Sequence, residues 1–182
     1  MTSQTVQIPG YLAGTWAIDP VHSDISFVVR HLGVSKVRGH FGTFEGTIVT
    51  AENPLESTVT AKIDAASIDT RNEQRDAHVK GEDFLDVEKF PELTFTSTGV
   101  RAHGEGFLVD GELSLHGVTK AVTLELELNG FGDGFEGAKV AGFSASTEIN
   151  RREFGVTGGA AGAVVGDKIT ILLEIEAVKQ EG

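Results

Sequence analysis

Residues 63–97 read IDAASIDTRNEQRDAHVKGEDFLDVEKFPELTFTS. Both ends of this stretch alternate as half-buried strands do. Thr58–Ile68 sets Val59, Ala61, Ile63 and Ala65 against Thr58, Thr60, Lys62 and Asp64, and Leu93, Phe95 and Ser97 share one face farther on. The middle breaks the alternation. Thr70-Arg71-Asn72-Glu73 fits a capping box, with Asp69 a second N-cap candidate, and Gly81 is a natural stop. The spacing predicts a helix of about ten residues. On it Arg71, Arg75 and His78 fall at i, i+4 and i+7 and share one side. Like charges so placed repel by about a few tenths of a kcal/mol, so something anionic should answer them. Solvent with Asp76, Glu82, Asp83 or Asp86 is the ordinary answer. A ligand headgroup bearing phosphate or another oxygen acceptor is the sharper one. Phe84, Leu85, Val87 and Phe90 follow at once, and Pro91 sends the chain into the next strand. These apolar residues read as core, or as a lid over the end of a barrel.

On either side of this stretch the chain keeps to a period of two. Ile25, Phe27 and Val29 oppose Ser26 and Arg30, with Val28 out of pattern. Residues 34–50 read as strand interrupted by Gly39, Gly42 and Gly46, the mark of bulges or strong bends. Phe107, Val109, Leu113 and Leu115 share a face. His116-Gly117 turns the chain, and Val122, Leu124, Leu126 and Leu128 then face Thr123, Glu125 and Glu127. Residues 129–137 read as a Gly/Phe loop and 156–166 as a bland Gly/Ala/Val loop. Phe143 and Ile149 lie on one face of the strand between them. Ile169, Ile171, Leu173 and Ile175 close the pattern. The count is about eight strands at hairpin spacing, which suits an antiparallel barrel or a sandwich. A barrel of about that size is either filled by its own side chains or holds one small ligand.

The chain has 182 residues, 40% hydrophobic and 23% charged, which suits one domain with a sizeable core over 14–182 behind a loosely held arm at 1–13. The absence of cysteine excludes disulfides and thiolate chemistry. A net charge of -12 argues against nucleic acid and anionic membrane surfaces as partners. No run is long and apolar enough for stable membrane insertion, and the opening residues have neither a basic nor an apolar signal region, so a cytoplasmic protein is expected.

Candidate chemistry elsewhere is sparse. Asp19, His22 and Ser23 have the letters of a catalytic triad, but they crowd onto one turn, and no G-x-S-x-G elbow is present. A turn held by Asp and Ser side chains is the plainer reading. The six histidines show no metal-ligand spacing, and neither a metal nor a catalytic cofactor is expected. Gly14-Thr15-Trp16 matches the short G-x-W that opens lipocalin-type barrels, with Trp16 plugging one end.

Several ordered motifs then carry a resemblance. Ile18-Asp19 leads to His22-Ser23, Phe27 and His31, and Ser67-Ile68-Asp69-Thr70 to Arg75-Asp76. Asp83-Phe84 and Phe90-Pro91 lead into Thr94-Phe95-Thr96-Ser97. Gly111-Glu112-Leu113 runs through to Gly117-Val118-Thr119-Lys120, and Ile149-Asn150-Arg151 precedes Phe154-Gly155. Together they resemble the YceI-like, or polyisoprenoid-binding, family from about Trp16 to Val178. The resemblance implies an all-β fold: an extended, lipocalin-like antiparallel barrel with a short helical insertion near residues 70–86. It implies a long apolar tunnel that takes a polyprenol, a polyprenyl phosphate, an isoprenoid quinone or a similar amphiphile. Relatives are often dimeric, so a homodimer belongs to that expectation, and many are secreted, unlike the cytoplasmic reading above. The expected tunnel wall is Phe27, Val29, Ile63, Phe84, Phe95, Leu113, Leu115, Leu126, Phe143, Ile149 and Ile171. The expected headgroup contacts are His31, Arg71, Arg75 and His78. Two rival readings stand beside this one: an enzyme using the same barrel on a small apolar substrate with His22 or His31 as acid/base, and a ligand-free stress-response domain with a filled barrel.

Overall fold

Three of the strands are broken midway, and those breaks shape the molecule. The computed structural model describes residues 8–181. β1 (Gly14–Ile18) and β2 (Asp24–His31) are separated by the Pro20 turn, β3 (Ser35–Phe41) and β4 (Phe44–Thr50) by Gly42-Thr43, and β5 (Thr58–Asp64) and β6 (Ile68–Asp69) by a turn of 3-10 helix. Then come helix α1 (Glu73–Lys80) and five unbroken strands: β7 (Glu92–His103), β8 (Gly106–Leu115), β9 (Val118–Asp133), β10 (Lys139–Asn150) and β11 (Val165–Lys179). With each broken pair taken as one bent strand, eight run up and down in chain order, every neighbour antiparallel. The ladder closes because β11 is long enough to meet both halves of the first bent strand. Ile169–Glu174 pairs with β2 and Ala177–Lys179 with β1. Closure leaves only short edges, such as β6 and the outer side of residues 35–39 in β3. The barrel and helical insertion are therefore as the sequence indicates.

Inward apolar faces follow the alternation. Glycines make room where two large groups would collide. A Cβ on Gly39 would lie 2.3 Å from the Phe27 ring across the ladder, and one on Gly111 2.4 Å from the Phe95 ring. Exposed ion pairs such as Arg101 with Asp110 (2.7 Å) decorate the outside.

The two ends differ. At one, Trp16 is fully buried against Ala141, Phe143 and Ala177 and donates its indole N–H to Thr50 Oγ1 at 2.8 Å. Tyr11 stacks edge-on to Phe131 and donates its hydroxyl to the Ala51 carbonyl at 2.5 Å. So the expected loose arm is held from Ile8 onward; its residues 1–7 lie outside the described residues. The expected loop at 129–137 is also mostly strand. β9 continues to Asp133, with a shift of register opposite Gly142-Phe143 that the flanking glycines tolerate.

At the other end the third bent strand and β7 part company. β5 pairs with β7, but β6 pairs with β3. Residues 70–91 fill the opening. Asp69 Oδ1 accepts the Arg71 N–H at 2.8 Å and holds that residue left-handed at φ 65. Asn72, not Thr70, caps α1 by accepting from Arg75 N–H at 2.9 Å. Arg71 therefore precedes the helix, and the expected three-residue basic side is reduced to Arg75 and His78.

Candidate ligand tunnel

Alternation aims one side chain in two at the barrel axis, and along most strands those side chains are aliphatic or Phe. They do not fill the space. A chamber of about 210 Å³ occupies the Trp16 end and one of about 260 Å³ the helix end. Phe27, Phe41, Leu93, Leu115, Ile149 and Ile171 border both, forming a shared collar where the two parts of the hollow adjoin. Among the described residues, no buried side-chain nitrogen or oxygen lacks a hydrogen-bond partner. The hollow thus offers apolar contact along its length, with no buried polar group waiting for a substrate.

All the expected wall residues border this hollow. Ile63, Phe95, Leu113, Leu126 and Phe143 line the first chamber, Val29 and Phe84 the second, and Phe27, Leu115, Ile149 and Ile171 both. Of the expected headgroup residues, His31, Arg75 and His78 line the helix-end chamber and Arg71 does not. Arg71 misses because its backbone turns left-handed before the helix begins. Arg75 donates Nε–H to Thr70 Oγ1 at 2.9 Å and an Nη2–H to the Thr70 carbonyl at 2.5 Å. Thr70 is itself buried, and its N–H and hydroxyl both donate to Asp76 Oδ1. His78 meets Asp83 at 2.9 Å and stands edge-on to the Phe84 ring at 5.1 Å. The ring of His31 has no hydrogen-bond partner among the described residues.

Residues 151–164 complete the cap. Arg151 is 3% exposed, and its guanidinium donates to the carbonyls of Gly166 (3.0 Å), Val156 (2.8 Å), Gly162 (3.0 Å) and Val165 (2.9 Å). Burial first, then neighbouring Arg152, pushes its pKa down, while Asp167 at 3.3 Å pulls the other way. A guanidinium remains charged through such shifts. The cap pieces are tied together where Gly158 N–H donates to the Asp83 carbonyl at 2.7 Å.

The triad letters resolve into a hinge. His22 Nδ1 lies 2.7 Å from Asp19 Oδ2, whereas Ser23 Oγ exchanges hydrogen bonds with the main chain of Glu176. The hydrogen bond with Asp19 raises the His22 pKa, and the same bond lowers that of Asp19. Asp19, His22 and Glu176 do place one nitrogen and two carboxylate oxygens within 4.8 Å of one another. Spacing along the chain hid this because Glu176 comes from β11.

Comparison with known proteins decides the family. The model of the YceI-like domain matches residues 16–177. The chain belongs to the YceI family. Protein YceI of Salmonella arizonae is 39% identical over 161 residues, covering 88% of this chain and 83% of the relative. Among solved structures, the YceI protein of Campylobacter jejuni superposes with a TM-score of 0.74 at 26% identity, each chain covered in full. A polyisoprenoid-binding domain from Saccharophagus degradans superposes at 0.72 with 16% identity, over 93% of this chain and 100% of that one, a likeness of fold. No helix of this YceI-like chain, among the described residues, is long and apolar enough to cross a membrane.

The sequence reading missed Phe41, which is part of the collar, and Tyr11, which lines the first chamber. It also missed Arg151 as the tie of the cap. Phe41 could have been found by extending the alternation through the glycine-broken strand. The partners of Arg151 are main-chain carbonyls, which leave no mark in a sequence.

Proposed function

We propose that this protein binds one long-chain isoprenoid, or a lipid of similar amphiphilic form, in its barrel and carries or stores it. The observation behind this reading is a pair of predominantly apolar chambers that share a collar, with the charged and histidine side chains at the helix end. The description of the Saccharophagus degradans domain as polyisoprenoid-binding supports it, as does membership of the YceI family. A linear prenyl tail is long, apolar and narrow, which is what a collar between chambers admits. A tail giving up about 400 Å² of apolar surface is worth about 10 kcal/mol before losses. Loss of its own freedom offsets several of those, leaving a workable affinity.

The headgroup sits at the helix end. His31 has ring nitrogens free for it, and His78 and Arg75 border the same chamber. Arg75 also holds Thr70, so its replacement changes the cap as well as the contact. Binding is favoured over catalysis because both chambers are walled mostly by aliphatic and Phe side chains, and His22 is engaged outside them with Asp19.

The test is organic extraction of the purified protein followed by mass spectrometry. One class of prenyl lipid, near one per chain, is expected. An extract without lipid, from a protein that takes up neither added polyprenols nor quinones, contradicts the reading.

A further inference from the structure

The β2–β3 hairpin is built against the usual rules for a turn in water. His31 and Ser35 pair across it, and Val34 N–H donates to the His31 carbonyl at 3.2 Å. Leu32 and Gly33 both have positive φ, 56° and 70°. Such a turn favours Asn, Asp or Gly at both central places. Here the first is Leu, 59% exposed, and next to the turn Val34 is 83% exposed. Leu32 N–H donates to the Val164 carbonyl at 2.7 Å, which ties the tip to a third aliphatic side chain, Val164, 38% exposed. Val164 and His31 also line the helix-end chamber, so this apolar tip stands at the tunnel's mouth.

The charge around the tip runs against that of the whole. Between Ile25 and Phe44 the chain places Arg30, Lys36 and Arg38 and none of its 27 acidic residues, in a protein of net charge -12. All three cations are exposed, and none has a carboxylate partner among the described residues. A strained, exposed leucine and valine flanked by unpaired cations form a small interfacial anchor: aliphatic groups to enter the acyl boundary, cations to meet anionic headgroups.

We propose that the β2–β3 hairpin docks the mouth of the tunnel on anionic lipid bilayers, so that cargo passes between membrane and barrel without crossing water. This rests on the lipid-binding reading above for its purpose, but not for its test. It departs, for one face, from the expectation from net charge that anionic membranes are unlikely partners. The overall charge governs long-range approach, while over a Debye length of about 8 Å the local cations govern contact.

The test is co-sedimentation of the full chain with cargo-free vesicles of phosphatidylcholine alone and of phosphatidylcholine mixed with phosphatidylglycerol. Binding to the anionic vesicles, falling with added salt, is expected. Lys36→Glu and Arg38→Glu should each lower the partition coefficient by about 5-fold or more. Leu32→Asn should lower it by about 10-fold while leaving the melting temperature equal or higher, because Asn accepts the left-handed turn better than Leu. Absence of binding to anionic vesicles overturns the proposal. So does a hairpin that instead pairs two copies of the chain, seen as a dimer that Leu32→Asn dissociates while vesicles stay unbound. If polyprenol still raises the melting temperature in either case, the lipid-binding reading survives and only the docking surface falls.

Discussion

Arg151 shows how much one side chain can hold. Its guanidinium donates to four main-chain carbonyls, two in the segment that closes the helix end and two at the start of β11. Lysine is no substitute, because a single ammonium cannot reach a fan of acceptors spread around a planar fork. Arg151→Met should lower unfolding stability by about 3 kcal/mol or more, since it strands several buried carbonyls at once. Chemical denaturation of the variant against the parent protein checks this; a loss within experimental error would mean that the segment orders itself by other means. The sequence displays Asn150-Arg151-Arg152-Glu153-Phe154 but cannot say which arginine turns inward: Arg152 is half-exposed and pairs with Asp167 at 2.7 Å. Arg71 teaches the same lesson in reverse. Its spacing from Arg75 and His78 is helical on paper, yet a single left-handed residue before the cap removes it from the helix. Which strand residues face inward was legible because a period of two leaves a strand residue only one choice of face. The basic residues were partly illegible because cap geometry depends on single dihedral angles.

At the scale of elements, α1 is poorly equipped to stand alone. None of its residues is buried, and at eight residues it is shorter than isolated helices need. What fixes it is the junction before it: Asp76 accepts from the N–H and hydroxyl of buried Thr70, and Arg75 donates to the same residue. Asp76→Ala should therefore loosen the cap more than the barrel. The expected signature is faster amide exchange over residues 70–80 and faster release of bound lipid, with a global loss of only about 1–2 kcal/mol. Uniform loss of protection across β7–β11 would show that the cap and barrel are one cooperative unit. The existence of this helix was visible in the broken alternation of residues 63–97. Its reason was not: β6 stays with β3 and parts from β7, and a pairing between residues so far apart has no local signal.

For the molecule as a whole, the question the sequence left open was whether eight strands enclose a filled core or a hollow one. Both give the same alternating pattern, because an inward Leu looks alike whether it touches another Leu or a lipid. The two chambers and their shared collar turn the barrel into a candidate container whose capacity is set by length more than by width. A tail that reaches only one chamber leaves the other unused, whereas one that threads the collar removes more apolar surface from water. Affinity should therefore climb with chain length until the hollow is full and then level off. The most direct measurement is the melting temperature of lipid-free protein titrated with polyprenols of increasing length. The expected result is a stepwise rise reaching about 5–10 °C at saturating long-chain ligand, and a melting temperature indifferent to polyprenol at every length would contradict it.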